Sequence, residues 1–365
     1  MKLSEVINAS GKMSILGVSV MSDPVILAMK EGAAHFYIME ELHEQAGAQI
    51  AAYLQTESVM VTNSASSGIA LSVAGLITKD NQVSYRNVYD KEIFPKREVV
   101  LMKGHQVDYG APIGLMVETG GGIVKEAGYA NGCTIEQIKS TVTSQTACLL
   151  YVQSHHAVQK GMPSLEAISA LANELNIPLV VDAAAESQWQ RYTNLADIVI
   201  ISGAKALNGP TSGIIAGKKD LITAVRAHQF GIGRAMKVGK EAVLGLVRAV
   251  EEYPDNSMTK KVQLQLLDTL NRLEKIQGIK VSEQPDSAGR EIYRGRIHID
   301  ANITNVSAST VVKKLRTGNP AIYTRDYEAD QGYFDIDPRS VSEAEMHVIA
   351  EKIEESLRGS SKNEA

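Results

Sequence analysis

Cysteine is scarce in this chain, which has 365 residues and 2 cysteines, Cys133 and Cys148. Their spacing fits neither a metal-ligand motif nor a redox motif, and two thiols cannot form a disulfide framework. Long apolar runs are also absent, because no stretch could span a bilayer and the first residues lack the apolar core of a signal peptide. These absences predict a cytoplasmic protein with reduced thiols and no membrane partner.

An excess of positive charge is missing as well. The chain has 37 Lys and Arg against 42 Asp and Glu, a formal net charge of -5, and no basic block that could follow a phosphate backbone. We therefore expect no nucleic-acid partner. His155 and His156 are adjacent rather than spaced for one ligand face, and no Walker-type phosphate loop is present. We predict neither a metal site nor a nucleotide site.

Short apolar runs alternate with helical patterns up to about residue 245. Hydrophobic residues make up 44% of the sequence, enough to fill a sizeable core. The runs that indicate buried strands are "VVLMKG", "ACLLYVQS", "IPLVVDAA", "ADIVIISG" and "SGIIAG". Between two of them, "SLEAISALANELN" indicates an amphipathic helix with Ser164 as its N-cap. The alternation predicts an α/β protein with a mainly parallel sheet covered on its faces.

The pattern changes after about residue 245. Long charged helices there precede a mixture of short strands and helices, which is typical of a smaller α+β domain. We predict a large domain over residues 1–245, which includes the N-terminal segment. Residues 246–365 are predicted to form a small C-terminal α+β domain.

A lysine lies in the loop "GAKALNGPT", between the predicted strands "ADIVIIS" and "SGIIAG". Loops at strand ends are where α/β enzymes keep their chemistry. Partial desolvation of Lys205 there would favour a neutral amine, which is a nucleophile. The alternative is a loop lysine whose ammonium group simply reaches water.

An aspartate ends the predicted strand "IPLVV", one helix and one strand before Lys205. Both side chains would then meet at neighbouring strand ends. The carboxylate of Asp182 could pair with a protonated pyridine nitrogen and strengthen an electron sink. It could equally cap the following turn, "AAAES".

A Ser/Gly loop precedes a predicted helix in "VTNSASSGIALS". Free N–H groups and serine hydroxyls at a helix N-terminus can bind a dianionic phosphate. Ordinary capping by Ser64 or Ser66 explains the same residues. With Asp182 and Lys205, the loop completes a set in chain order: a phosphate seat, a pyridinium partner and an imine-forming lysine.

Six motifs spread over nearly the whole chain resemble those of one enzyme family. They are "INASGKMSILGVSVMS", "VTNSASSGIALS", "VVDAAAES", "SGAKALNGPTSGIIAGKKDLI", "GIGRAMKVGKEAVLGL" and "DIDPRS". They are similar to motifs of fold type I pyridoxal-phosphate enzymes, the aspartate-aminotransferase superfamily, in its selenocysteine-synthase-related branch. The resemblance implies pyridoxal 5′-phosphate as cofactor, Lys205 as the Schiff-base lysine and Asp182 as the partner of the pyridine nitrogen. The implied phosphate loop consists of Ser64, Ser66, Ser67 and Gly68.

Other candidate residues each have two interpretations. His105, in "MKGHQVDYG", could stack on the cofactor ring or be a structural histidine. Arg339, in "DIDPRS", lies where fold type I enzymes usually bind an amino-acid carboxylate, and the alternative is a surface arginine. Arg234 and Lys237, in "GRAMKVGK", could bind a second phosphate or belong to a solvated helix face.

The resemblance also implies a reaction, because it is greatest to ammonia lyases of amino-sugar-acid catabolism. That reaction is α,β-elimination from a 2-amino-3-hydroxy sugar acid, with D-glucosaminate 6-phosphate as the expected substrate and a 2-keto-3-deoxy acid as the product. Lys205 would take the Cα proton while Asp182 supports the ring, and His105 or Tyr109 would protonate the leaving hydroxyl. Transamination, β-replacement or another lyase reaction, and a non-catalytic cofactor-binding protein stay open as alternatives.

The same resemblance bears on partners. Bacterial selenocysteine synthases carry an extra N-terminal domain for transfer RNA, whereas "INAS" begins here at Ile7, so we expect no action on transfer RNA. Fold type I sites usually draw residues from two subunits. We therefore expect a homodimer or a higher homo-oligomer, with the segment from Arg234 to Lys240 near an interface.

Overall fold

The chain divides into a larger unit, Met21–Asp255, and a smaller unit formed by Met1–Val20 and Asn256–Ala365. The computed structural model describes residues 3–79, 84–256, 258–286 and 290–358. In chain order, the strands are β1 (Val6–Ala9), β2 (Ser58–Thr62), β3 (Glu98–Met102), β4 (Ile123–Ala127), β5 (Thr146–Val152), β6 (Leu179–Asp182), β7 (Ile198–Ser202), β8 (Gly213–Gly217), β9 (Ile279–Pro285), β10 (Tyr293–Ile299), β11 (Ala321–Thr324) and β12 (Tyr333–Ile336). The α-helices are α1 (Asp23–Ala34), α2 (Met39–Leu54), α3 (Ala65–Thr78), α4 (Ile113–Thr119), α5 (Ile135–Thr141), α6 (Leu165–Leu175), α7 (Trp189–Thr193), α8 (Lys219–Ala227), α9 (Lys240–Asn256), α10 (Lys260–Leu267), α11 (Ala301–Thr304), α12 (Ala308–Thr317) and α13 (Glu343–Arg358).

The larger unit is built on a seven-stranded sheet in the order β2-β8-β7-β6-β5-β3-β4. β8 runs antiparallel to β2 and β7, and the other neighbouring pairs are parallel. Every residue of β7 is buried. Burial on both faces explains why such strands are continuous apolar runs rather than alternating ones. The predicted α/β architecture with a mainly parallel sheet is confirmed.

Helices cover both faces of this sheet, because successive residues of a strand point to opposite sides. Val181 and Val199 pack on one side, in a core shared with α2, α6 and α9. Val180 and Ile200 pack on the other side, with α3, α4 and α8. Ser164 caps α6 as predicted, since its side-chain oxygen accepts a hydrogen bond from the N–H of the third helical residue.

The smaller unit combines an antiparallel sheet in the order β12-β10-β9 with a parallel pair, β1 and β11. Its core contains Ile7 from β1, Ile297 from β10 and Phe334 from β12. The helices α10, α12 and α13 add further apolar side chains to this core. The mixture is the α+β arrangement predicted for the C-terminal region.

The boundaries of the units differ from the predicted 1–245 and 246–365. The N-terminal segment belongs to the smaller unit, because β1 pairs with β11 from Val6 opposite Ala321 to Ala9 opposite Thr324. The larger unit extends to Asp255, because α9 continues past residue 245. A pairing partner near the other end of the chain leaves no local signal in the N-terminal sequence.

Within the described ranges, none of the helices is both long and apolar enough to cross a bilayer. The same part of the chain holds no group of three His, Cys, Asp or Glu side chains that could hold a metal ion. Cys133 and Cys148 are both buried free thiols.

Candidate active site

The predicted site residues of the larger unit follow strands that end at one edge of the sheet. Thr62 at the end of β2 and Ser202 at the end of β7 both pair with Gly213, the first residue of β8. Asp182, the last residue of β6, lies opposite Val152 at the end of β5. The loops after β2, β6 and β7 therefore leave the sheet at the edge where α/β proteins bind ligands.

Asp182 is a buried carboxylate with a cation close to it. Its Oδ1 accepts a hydrogen bond of 3.1 Å from the Ala184 N–H. Burial raises the pKa of Asp182, whereas the charge of Lys205 and the Ala184 hydrogen bond oppose this rise. Because Lys205 is near enough to have this effect, the fold brings together the two residues that the sequence analysis paired.

A tightly folded loop between β7 and β8 holds Lys205 half-buried. The Gly203 N–H donates to the Ser212 carbonyl at 3.0 Å, and the Gly209 N–H donates to the Gly203 carbonyl at 2.9 Å. A Cβ atom at Gly203 would overlap the Ser212 side chain, so glycine is needed where the loop closes. Asn208, with a φ of 52°, donates its N–H to the Lys205 carbonyl at 3.3 Å. These contacts fix the backbone of the lysine beside the sheet edge.

The N-terminus of α3 offers N–H groups to an anion. Ser64 is the N-cap, and its Oγ accepts from the Ser67 N–H at 3.1 Å. The Gly68 N–H donates to the Ser64 carbonyl at 3.0 Å. The first four N–H groups of a helix have no intrahelical partner, and these contacts leave those of Ala65 and Ser66 for a ligand.

Three of the four predicted phosphate-loop residues also have structural roles, and their binding of the cofactor phosphate stays a prediction. Ser67 Oγ donates to the Asn63 side chain at 2.6 Å, and Ser64 Oγ donates to Ser67 Oγ at 3.0 Å, so both hydroxyls belong to the cap. Gly68 lets α3 approach the sheet, since a Cβ there would lie 3.0 Å from a methyl carbon of Ile200. The fourth residue, Ser66, keeps its hydroxyl outside this cap.

Tyr109 is a residue that the sequence analysis named only as a possible acid. Its hydroxyl is buried and faces Ser66 without a hydrogen bond of normal geometry. Burial raises the pKa of Tyr109, the contact with Ser66 lowers it, and the charges of Asp182 and Asp108 raise it further. The phenol therefore lies between the start of α3 and the buried carboxylate. In the sequence, Tyr109 is indicated as a candidate site residue by its position in the loop that follows β3.

His105 is a structural histidine, which corrects the prediction that it stacks on the cofactor. Its ring is fully buried and packs edge-on against Tyr151, with ring centroids 4.7 Å apart. Nδ1 accepts from the Val152 N–H at 3.1 Å, and Nε2 lies near the Val158 backbone without a regular hydrogen bond. Burial lowers the pKa of His105 to about 4. A neutral ring with no exposed face can neither stack on a ligand nor protonate one.

Arg234 and Lys237 flank a backbone contact with the loop that leads into α3. The Met236 carbonyl accepts from the Thr62 hydroxyl at 3.1 Å and from the Asn63 N–H at 3.3 Å. Both cationic side chains are exposed, and neither forms an ion pair with another residue in the described ranges. Their charges are therefore open to an anionic ligand, as the predicted second phosphate site requires.

Arg339 belongs to the smaller unit, where an internal carboxylate already engages it. Its Nε donates to Asp337 Oδ1 at 2.9 Å, and its Nη2 donates to Asp337 Oδ2 at 2.8 Å. The side of the guanidinium that would form the predicted fork is thus occupied. The end that carries Nη1 is left for a ligand.

The edge of the larger unit fits pyridoxal phosphate. Asp182 is a buried carboxylate that can pair with a ring N–H, and Lys205 provides an amine beside it. The start of α3 provides N–H donors for a phosphate, with the hydroxyl of Ser66 next to them. Tyr109, whose buried hydroxyl has no regular partner, is a further donor. These residues would hold the ring nitrogen, the aldehyde carbon and the phosphate of the cofactor.

The chain is similar to known proteins of one family. The family model of L-seryl-tRNA selenium transferase matches residues 6–317. The chain is 42% identical over 354 residues to D-glucosaminate-6-phosphate ammonia lyase of Salmonella typhimurium (strain 14028s / SGSC 2262), which covers 97% of this chain and 95% of the relative. It is 37% identical over 359 residues to 5'-C-glycyluridine monooxygenase-decarboxylase of Streptomyces sp, covering 96% and 90% of the two chains. A solved structure of D-glucosaminate-6-phosphate ammonia-lyase matches with a TM-score of 0.90 at 40% identity, covering 97% of this chain and 96% of that one.

These similarities extend over nearly the whole chain. They confirm the predicted fold type I, and enzymes of this fold type and family depend on pyridoxal phosphate. The predicted selenocysteine-synthase-related branch is confirmed as well. The chain belongs to the L-seryl-tRNA selenium transferase family.

Proposed function

We propose that the protein is a pyridoxal-phosphate-dependent ammonia lyase that converts D-glucosaminate 6-phosphate to 2-keto-3-deoxygluconate 6-phosphate. The observation that carries the proposal is the similarity to D-glucosaminate-6-phosphate ammonia lyase, which is 42% identical over 97% of this chain. The site supports the proposal, because a lysine beside a buried carboxylate at the sheet edge is what α,β-elimination of an amino acid needs.

Lys205 and Asp182 have separate tasks at the substrate Cα. When bound, the cofactor supplies an electron sink for the negative charge that develops there. Lys205 Nζ would hold the cofactor until the substrate amine displaces it, and the freed amine is then the base that accepts the Cα proton. Asp182, whose carboxylate lies near the lysine, would keep a proton on the ring nitrogen.

Tyr109 is the residue that we propose as the acid for the hydroxyl that leaves C3. Burial raises the pKa of Tyr109, so the phenol carries its proton at neutral pH. The other candidate, His105, is neutral and fully buried. The hydroxyl leaves as water, and hydrolysis of the remaining C–N bond then consumes one water and releases ammonia, which leaves the 2-keto acid.

The direct test is the identity of the products. Protein loaded with pyridoxal phosphate should release ammonia and a 2-keto acid in equal amounts from D-glucosaminate 6-phosphate. Lys205→Ala should release neither, and borohydride should fix the cofactor to the peptide that contains Lys205 in the wild type alone. Lys219→Ala, which changes an exposed lysine of the same unit, is the matched control and should keep full turnover. Loaded wild-type protein that releases no ammonia would contradict the proposal.

The similarity to 5'-C-glycyluridine monooxygenase-decarboxylase favours a second candidate function. An enzyme of that kind would consume dioxygen and release carbon dioxide from an amino acid. Both reactions remove a group from the Cα of the substrate, so the residues around Lys205 do not separate them. Oxygen uptake and carbon dioxide release, measured with the same protein and a panel of amino acids, distinguish the two functions. A lyase should give ammonia under anaerobic conditions at an unchanged rate.

We also propose that the substrate phosphate binds Arg234 and Lys237 and that the substrate carboxylate binds Arg339. Exposure of the first two side chains near the start of α3 supports the phosphate site. The unused end of the Arg339 guanidinium supports the carboxylate site. We propose further that the enzyme works in the cytoplasm as a homodimer or a higher homo-oligomer. A phosphorylated metabolite as substrate fits that compartment.

A further inference from the structure

A short stretch of the larger unit, residues 228–237, carries the two cationic side chains that we propose as the site of the substrate phosphate. This cationic segment is held at both ends of α3. At its start, the ring of His228 is fully buried, and its Nε2 lies 2.8 Å from the hydroxyl oxygen of Thr78, the last residue of α3. At its end, the Met236 carbonyl accepts hydrogen bonds from the loop that leads into α3. The cationic segment is therefore fixed to α3 at two separate points.

The middle of the cationic segment turns tightly against α3. The Gly231 N–H donates to the His228 carbonyl at 3.0 Å, and the Arg234 N–H donates to the Gly231 carbonyl at 3.0 Å. A Cβ atom at Gly233 would lie 2.6 Å from the His228 carbonyl oxygen and 3.1 Å from a methyl carbon of Leu71 on α3. Glycine is needed at this close approach. The turn brings the backbone onto the helix and leaves the side chain of Arg234 exposed.

Thr62 is the side chain that fixes the end of the cationic segment. It is the last residue of β2, and it is only 1% exposed. Its hydroxyl donates to the Met236 carbonyl at 3.1 Å, and the Asn63 N–H donates to the same carbonyl at 3.3 Å. Met236 lies between Arg234 and Lys237 in the chain, so these two hydrogen bonds set the position of the backbone that carries both cations.

The loop that holds the cationic segment also belongs to the cap of α3. Asn63 Oδ1 accepts from Ser67 Oγ at 2.6 Å, so Asn63 contacts the cap through its side chain and the segment through its backbone. The Thr62 hydroxyl differs, because within the described ranges its one hydrogen bond is that to Met236. A substitution that removes this hydroxyl can therefore loosen the segment and leave the cap of α3 in place.

We propose that Thr62 is a positioning residue for the substrate phosphate, because its hydroxyl holds the backbone between Arg234 and Lys237 near the start of α3. This inference rests on the proposed function, which supplies a phosphorylated substrate. Thr62 is buried and acts through the Met236 carbonyl rather than by contact with the substrate. Cations on a backbone that is already held in place lose less conformational freedom when they bind a phosphate. The hydroxyl therefore raises the affinity for phosphorylated ligands and leaves that for unphosphorylated ligands unchanged.

The experiment measures binding of two unreactive probes to the enzyme loaded with pyridoxal phosphate. Gluconate 6-phosphate and gluconate both lack the amine, and they differ only in the phosphate. Isothermal titration calorimetry should show that the wild type binds the phosphorylated probe at least about tenfold more tightly. Thr62→Val, which keeps the shape of the side chain, should weaken binding of gluconate 6-phosphate about fivefold and that of gluconate less than about twofold. Thr62→Ala should repeat this result, and Thr62→Ser, which keeps the hydroxyl, should restore binding.

A test of coupling separates positioning from a merely structural role. In a variant that carries both Arg234→Met and Lys237→Met, Thr62→Val should cause no further loss of affinity, because Thr62 acts through these two residues. A structural role would add its own loss in that variant. Titration of the cofactor-free protein with pyridoxal phosphate should give Thr62→Val the affinity of the wild type, because the cap of α3 is kept.

The matched control is Thr223→Val, at an exposed threonine on α8 whose hydroxyl also donates to a backbone carbonyl. It should bind both probes like the wild type. Equal weakening of both probes by Thr62→Val, unchanged binding, a further loss in the variant without the two cations, or weaker binding of pyridoxal phosphate would each overturn the proposal. A wild type without preference for the phosphorylated probe would do so as well. Ammonia release from D-glucosaminate 6-phosphate is measured separately, so failure of the proposed function is seen independently of the probes.

Discussion

Removal of the Tyr109 hydroxyl tests whether this residue is the acid that protonates the leaving hydroxyl. Tyr109→Phe removes the buried hydroxyl that faces Ser66 and keeps the ring. We expect kcat to fall about 100-fold or more, because general acid catalysis contributes factors of this size. KM should change little. Tyr129→Phe, which changes a tyrosine that is 68% exposed, is the control in a steady-state ammonia assay. A Tyr109→Phe enzyme with wild-type kcat would exclude Tyr109 as the acid.

A substitution at Arg234 tests the proposed binding site of the substrate phosphate. Arg234→Ala should lower kcat/KM for D-glucosaminate 6-phosphate about 10- to 100-fold, since a hydrogen bond to a charged group is worth about 1.5–3 kcal/mol. The rate with unphosphorylated D-glucosaminate should be nearly unchanged. Lys30→Ala, an exposed lysine on α1, serves as the control. An equal loss on both substrates would place the phosphate elsewhere.

Residues at strand ends were the easiest to predict from the sequence. Asp182 and Lys205 each follow an apolar run, and parallel strands bring their carboxyl ends to one edge. His105 also follows such a run, yet its ring turns into the core against Tyr151. The direction of a side chain after a strand depends on the space that the neighbouring elements leave beside it. A single sequence contains no signal for that space.

Two serines at the start of α3 are expected to have different roles, Ser64 as the helix cap and Ser66 as a ligand of the cofactor phosphate. Ser64→Ala should destabilise the protein by about 1 kcal/mol, because its side chain accepts from the N–H of the third helical residue. Ser66→Ala should leave stability unchanged and weaken cofactor binding about tenfold, because the hydroxyl lies outside the cap. Urea unfolding of the cofactor-free protein and titration with pyridoxal phosphate measure the two effects. The reverse pattern would show that Ser64 binds the phosphate.

Elements with strong local patterns were predicted well, and their roles were predicted less well. The N-cap of α6 and the buried strands of the larger unit follow from side-chain chemistry and apolar runs alone. The Ser/Gly loop before α3 was recognised, but the register of the cap decides which serine stays outside it. That register depends on Asn63, whose side chain accepts from Ser67. Similarly, the engagement of Arg339 by Asp337 depends on a contact that spacing alone does not reveal.

We expect the protein to form a homo-oligomer, and the larger unit has exposed apolar side chains that a second copy could cover. Phe36 is 101% exposed, and Leu27 and Ile38 are 60% and 64% exposed. Lys240 Nζ donates to the carbonyls of Gly32 and Ala33 at the end of α1, which places the segment from Arg234 to Lys240 close to this surface. Burial of such apolar side chains by a second copy would stabilise a dimer.

The double variant Leu27→Glu and Phe36→Glu should shift the protein toward monomers and lower its activity, because charges would then be buried in the interface. Light scattering over a range of protein concentrations measures the assembly, and the ammonia assay measures activity. Leu115→Glu, at a residue that is 48% exposed on α4, is the control. A wild-type protein that is an active monomer at every concentration would refute the expectation.

The pairing of β1 with β11 has a consequence for the order in which the chain can fold during synthesis. Residues Met21–Asp255 form one continuous unit, so all of its strands are present before the rest of the chain has left the ribosome. Val6–Ala9 emerges before the larger unit, yet its partner, Ala321–Thr324, emerges after it. The first strand must therefore wait, unpaired, while the larger unit folds. The pairing of the two strands is therefore a late step, which closes the smaller unit only after the larger unit has been synthesised.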